Sequence, residues 1–235
     1  MYFHAIVEDF KEAGISLAFK GNLPDDEKCR NILIDSGFLE DVNSAFKVKM
    51  ETKADNIKII KGSISDPSVA KKLCLFTMEK LKVDRVFTRK LYDIISELMT
   101  NTKHWAYSDK CVCNWYLFAK YIKNKECVRY TFLDTGKGIP STIRKKGLEV
   151  AADVIGRSSH SHYIISALKG EDFRSHTGYK YRGEGLPRIY SYQEQGYINN
   201  LTVISDAGYY SDRRSKDLLR RLKGTLFYWE IYGSS

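Results

Sequence analysis

Apolar positions along the chain change period several times, and each change predicts a different element. Leu91, Ile94, Ile95 and Leu98 recur at intervals of three and four, one face of a helix, and Thr88 stands where an N-cap would precede them. From Thr225 to Tyr232 the chain alternates Thr, Phe, Trp and Ile against Leu, Tyr, Glu and Tyr, the period of two of a half-buried strand. Two further strand-like runs, Cys113 to Ile122 and Cys127 to Leu133, flank the short Lys123-Asn124-Lys125 connection and predict an antiparallel hairpin. Leu201 to Ser205 reads as a strand, as do Ile15–Phe19, a segment starting at Phe38, and Ile57–Ile60 closed by Gly62. Helices are expected over residues 5–13, from Asp25 through Leu33, from Ser68 to about Lys82, from Ser141 to about Ile155, and from Leu186 to Gln193, where Pro187 is tolerated in the first turn. Residues 170–185 are polar, contain glycine and hold few large aliphatics, so they read as a long loop. Strands in sequence with helices beside them suggest an α/β chain with a mixed or antiparallel sheet and helices on one face. Residues 1–75 read as a small α/β segment ahead of a larger domain over 76–235.

Composition narrows the class. The 235 residues suffice for one large domain or two small ones, and 43% hydrophobic with 29% charged residues is a globular balance. No stretch approaches the roughly 18 uninterrupted apolar residues of a membrane helix, and Met1-Tyr2-Phe3-His4 lacks the features of a secretory signal. A cytoplasmic chain with no membrane partner is therefore expected. The five cysteines, Cys29, Cys74, Cys111, Cys113 and Cys127, form no CxxC pair, which fits reduced thiols and no zinc site. The net charge of +9 could serve nucleic acid, an anionic surface or a nucleotide's phosphates. Its densest run, Arg213, Arg214, Lys216, Arg220, Arg221 and Lys223, reads as a solvated helix or loop face in preference to a nucleic-acid groove.

Four short signals carry candidate chemistry. Glu97 and Asn101 are four apart, so they project from one helix face beside the apolar stripe. A carboxylate there can orient a water or hydroxyl, and an amide oxygen is a hard ligand suited to Mg²⁺. Asp134-Thr135-Gly136-Lys137-Gly138 ends a strand: its carboxylate can accept from an exocyclic amine, and its glycines let backbone approach a ligand. Arg182-Gly183-Glu184-Gly185-Leu186 joins the polar loop to a helix start, where free amides suit phosphate oxygens. Gly224-Thr225 opens the last strand. Each alone is ordinary, an acid–amide pair on a solvated helix or a glycine turn.

Together, in this order, the four signals resemble the N, G1, G2 and G3 boxes of the GHKL ATPases (gyrase, heat-shock chaperone, histidine kinase and MutL) over about residues 85–232. The resemblance implies the Bergerat fold, a two-layer α/β sandwich with a mixed sheet and helices on one face, binding ATP and Mg²⁺ under a lid. It implies that Glu97 positions or deprotonates the attacking group and that Asn101 ligates Mg²⁺. Asp134 would read the adenine amino group, Gly136 and Gly138 would let the chain pass the base, and Thr225 would support Asp134 or a bridging water. Gly183, Gly185 and Leu186 would form the hinge and phosphate turn of a lid over 170–182, with Lys180 and Arg182 as phosphate contacts. The N-terminal segment resembles the latter half of a STAS-like domain, as in anti-sigma-factor antagonists, through Ile15–Phe19, Cys29–Leu33 and Gly37-Phe38-Leu39.

Three activities are compatible with such a site. It could be an ATP-driven switch with slow hydrolysis, a protein kinase with a protein phosphoacceptor, or a nucleic-acid-directed ATPase of the gyrase or MutL kind. Only His4 lies upstream of residue 85, without a helical hairpin to carry a phosphoacceptor, which disfavours a complete sensor kinase. The STAS-like hint favours the switch or the Ser-kinase class, so a protein partner or phosphoacceptor is expected in preference to nucleic acid.

Overall fold

The computed structural model describes residues 1–16, 21–39, 55–106, 113–142, 159–171, 184–212 and 214–233, and the side chains of 103–106 are outside that description. Three helix starts follow acidic residues. The Asp26 carboxylate accepts from the Cys29 amide at 2.7 Å and opens α1's successor, α2 (Glu27–Asp35), while α1 itself spans Tyr2–Glu12. Asp66 accepts from the Ser68 amide at 2.8 Å ahead of α3 (Pro67–Leu81), which carries proline in its first turn. Asp84 accepts from the Val86 and Phe87 amides at 2.8 and 3.0 Å and starts α4 (Arg85–Ala106). The cap expected at Thr88 is thus one turn early: Thr88 lies inside the helix and returns its hydroxyl to the Arg85 carbonyl at 3.1 Å. Three short or medium helices follow, α5 (Ile139–Thr142), α6 (His160–Lys169) and α7 (Gly185–Glu194). The expected helix from Ser141 lies mostly outside the described residues, as does most of Ile15–Phe19. Phe38 and Leu39 are helical where a strand was expected to start.

Five strands form one sheet: β1 (Asn56–Gly62), β2 (Trp115–Ile122), β3 (Cys127–Asp134), β4 (Asn199–Ser211) and β5 (Arg214–Tyr232). Their order is β1-β2-β3-β5-β4, and every described pairing is antiparallel. The sheet is therefore antiparallel and not mixed, because β5 returns between β3 and β4 and separates the two strands that run the same way. The predicted hairpin is present in unbroken register from Trp115↔Asp134 to Ile122↔Cys127. The basic run from Arg214 to Lys223 is strand, not helix or loop, for β5 begins well before Thr225 and pairs with β4 from Ser211↔Arg214 onward.

Strand alternation divides the side chains between two faces. On one face Trp115, Leu117, Tyr130, Phe132, Phe227 and Trp229 meet α3, α4, α6 and α7 in the main core. Tyr130 pairs with Trp229 across the β3–β5 ladder, and their rings stack at 5.1 Å. The Tyr130 hydroxyl also bonds Thr77 Oγ1, tying α3 to the sheet. On the other face Ala5 of α1 packs against Tyr116 and Leu133, with Ile59, Leu222 and Leu226 around them. Helices therefore cover both faces, and the expectation of one helical face holds only for the main core. The boundary expected at residue 75 falls inside α3, whose Leu73 and Cys74 belong to that core, and β1 is hydrogen-bonded to β2. Among the described residues, no helix is long and apolar enough to cross a membrane.

Candidate functional site

Pairing register builds the floor of the site. Asp134 ends β3 opposite Thr225 of β5, so two polar residues meet at the same end of adjacent strands. The Asp134 carboxylate accepts from the Gly136 amide at 2.8 Å and from the hydroxyl and amide of Thr225. Burial outweighs those donors and pushes its carboxyl up to about 6. Gly224 makes the juncture possible: at φ +92° it occupies the left-handed region, and a Cβ there would lie 1.9 Å from the Asp134 carbonyl oxygen.

A second polar group, absent from the sequence reading, holds the glycine loop in place. Ser205, fully buried on β4, accepts from the Ile139 amide at 2.8 Å and bonds the Gly224 carbonyl at 3.2 Å and Thr225 Oγ1 at 3.0 Å. Its parity was the available signal. Leu201 and Val203 are inward, so Ser205 is an inward polar residue that needed partners.

Helix α4 forms the wall. Leu98, Asn101 and Thr102 face Asp134, Gly136, Lys137, Gly138, Ile139, Thr142, Thr225 and Phe227 around a cavity of about 50 Å³. That volume holds water and not a purine, whose pockets run to roughly 300 Å³ and more. One turn earlier on α4, Glu97 accepts a hydrogen bond from the Asn101 side chain. Its carboxyl is raised by desolvation, partly offset by the Arg188 charge and by Asn101. Gly185, the first residue of α7, packs directly on it: a Cβ at 185 would lie 1.8 Å from Glu97 Oε1. Arg188, one turn into α7, is the other residue the sequence reading missed; it lies on the exposed side of the helix with its guanidinium 3.8 Å from Glu184.

Of the residues predicted for the site, Asn101, Asp134, Gly136, Gly138 and Thr225 line one cavity, and Glu97 joins them through Asn101 and Gly185. Leu186 follows Gly185 in α7 and packs half-buried on the core. Lys180, Arg182 and Gly183 lie outside the described residues, as does the expected lid from 172 onward; Gly170, given to that lid, instead ends α6. Among the described residues no group of three or more His, Cys, Asp or Glu side chains could hold a metal. A single amide oxygen beside a carboxylate is nonetheless the donor type Mg²⁺ accepts when phosphates and waters supply its other ligands. Compared with known protein families and with curated proteins, the chain has no match.

Proposed function

We propose that the chain binds Mg-ATP in a Bergerat-type pocket and either hydrolyses it slowly as a conformational switch or transfers its γ-phosphate to a protein partner. The observation that carries this reading is the convergence of four sequence signals 128 residues apart at their extremes (225 − 97) on one neighbourhood between α4, α7 and the β3–β5 strand ends. Asp134, desolvated and held by Thr225 and Gly136, presents a carboxylate able to accept from an exocyclic amine. Asn101 would hold Mg²⁺, which when bound neutralises phosphate charge. Glu97 is a carboxyl with raised proton affinity beside that position, the property a general base needs near neutral pH. The amides of Gly185 and Leu186 at the start of α7 would face phosphate oxygens, with Arg188 adding charge from the same helix. Because the cavity of about 50 Å³ is smaller than a purine, nucleotide binding requires the pocket to widen.

A nucleic-acid-directed ATPase and a non-catalytic ATP sensor are the competing readings. Titration with adenine nucleotide tests the site itself: Asp134→Asn should weaken binding at least about tenfold, as loss of a buried charged acceptor does. Equal affinity in the two proteins removes Asp134 from the proposal. Glu97→Ala should keep binding and lose phosphate release or transfer; undiminished turnover would remove Glu97 as the base. Labelled ATP then separates transfer, which labels protein, from hydrolysis, which frees phosphate alone.

A further inference from the structure

Between Asp217 and Leu222 the long β5 strand leaves its register. Gly208↔Asp217 and Asp206↔Leu222 are paired, so four residues, Leu218 to Arg221, bulge out opposite Ala207 alone. Both ends of the bulge are fixed. Asp217 accepts from the Ser161 and His160 amides at 2.7 and 3.2 Å at the start of α6, and those bonds outweigh burial to keep its carboxyl low. Arg221 Nε stands 3.4 Å from Asp206, and Leu222 packs beneath α1. At the crest Leu219 is fully exposed, at 103% of its reference area. Arg220 beside it in the bulge, and Arg214 and Lys216 on the paired strand before the bulge, are exposed, and among the described residues no carboxylate is paired with any of them; Lys216 lies over the Tyr209 ring at 5.6 Å. The acids at the two ends of the bulge are engaged, Asp217 by the amides that start α6 and Asp206 by Arg221; Asp212, two residues before Arg214, is an exposed acid beside the basic run.

We propose that this bulge is a docking surface for an anionic lipid bilayer, with Leu219 entering the interface and Arg214, Lys216 and Arg220 meeting acidic headgroups. An anchored bulge that exposes one aliphatic side chain on a basic strand suits a fluid, negatively charged surface, which needs no complementary cavity. Duplex nucleic acid would use the cations and leave the leucine in water. Leu219, Arg214, Lys216 and Arg220 do not line the pocket, so the proposal does not depend on ATP binding.

Co-sedimentation of the full chain with phosphatidylcholine vesicles, with and without phosphatidylserine, tests it at low and high salt. Binding is expected only to the phosphatidylserine vesicles and should fall with salt. Each charge removed should cut partitioning about fivefold, so Lys216→Gln with Arg220→Gln should cost about 25-fold, and Leu219→Ser should weaken binding at unchanged charge. Circular dichroism of each variant separates loss of docking from loss of fold. Absence of binding by the wild type, or binding indifferent to Leu219→Ser, overturns the proposal. So does tighter, salt-sensitive binding to a DNA duplex that Leu219→Ser leaves intact.

Discussion

Asp134 and Glu97 are both carboxyls whose proton affinity burial increases, yet their surroundings differ. Asp134 is fixed by Thr225 and the Gly136 amide, whereas Glu97 faces a helix-borne amide and the Arg188 charge. For Asp134 the sign of the pH effect is determined by a folded value near 6, above the ordinary 3.8. The folded chain holds this proton more tightly than the unfolded one, so the group's contribution to stability is complete below about pH 4 and is lost as pH rises through about 6. Asp134→Asn should remove that slope and melt at or above the wild type at neutral pH. Under the proposed function, wild-type nucleotide affinity should rise with pH through the same range while the Asn variant stays flat. Calorimetric titration from pH 5 to 8 reads both, and a parallel pH dependence in the two proteins would dissociate Asp134 from the nucleotide.

Two glycines, one inside β5 and one at the start of α7, separate stability from chemistry. A Cβ at Gly224 would meet backbone, the Asp134 carbonyl at 1.9 Å, in a left-handed conformation at φ +92°. Backbone cannot yield as a side chain does, so Gly224→Ala should cost about 1–3 kcal/mol or more, read as a drop in the denaturant midpoint. The three atoms nearest a Cβ at Gly185 all belong to the Glu97 side chain. Glu97 can swing aside, and alanine is favourable in a helix, so Gly185→Ala should change stability by less than about 1 kcal/mol. It should still reduce turnover toward the level of Glu97→Ala, because the displaced carboxylate loses its Asn101 hydrogen bond. Near-native activity in Gly185→Ala would show that the Glu97 position is not required. At this scale the strands were the most legible elements, since burial of alternate residues is written directly into composition. The helix start at Asp84 was misread at Thr88 because both residue types cap, and only the observed amide partners distinguish them.

For the molecule as a whole, the second sheet face carries a polar cluster as well as α1. Glu230 is buried and receives Arg129 Nε at 2.9 Å, Asn200 Nδ2 and the Tyr232 hydroxyl at 2.6 Å, and the Tyr228 hydroxyl. Burial alone would raise its carboxyl, but these donors and the Arg129 charge hold it down to about 2. Its contribution to stability is therefore present above the ordinary 4.5 and is lost as pH falls toward 2, the reverse of Asp134. Glu230→Gln should lower stability at pH 7 by about 1–3 kcal/mol and flatten the acid limb of a urea-midpoint curve below pH 4.5. An unchanged acid limb would mean that other carboxylates set it. The same face links α1 to the site: Glu12 accepts from Asn114 Nδ2 at 3.1 and 3.2 Å, and the Asn114 amide donates to Thr135 Oγ1 at 3.1 Å while its carbonyl accepts from the Thr135 amide at 3.0 Å, next to Asp134.

The sequence by itself determined the strands β2, β3 and the inner half of β5, the amphipathic face of α4, and the residue types of the candidate pocket, because periodicity and short spacings are local properties. Tertiary structure alone decided which elements share a sheet and which face each helix covers. The pairing of β1 with β2 carries the sheet across the boundary expected at residue 75, and α1 settles on the second face. Arg188 became visible as a site residue only when α7 was brought beside Glu97, and Ser205, whose inward parity was legible, gained its partners only when β4 was brought beside Gly224. The physical reason is one of range: a helix or strand is fixed by neighbours a few positions away, whereas its partner is chosen by burial and hydrogen bonding between residues a hundred or more positions apart.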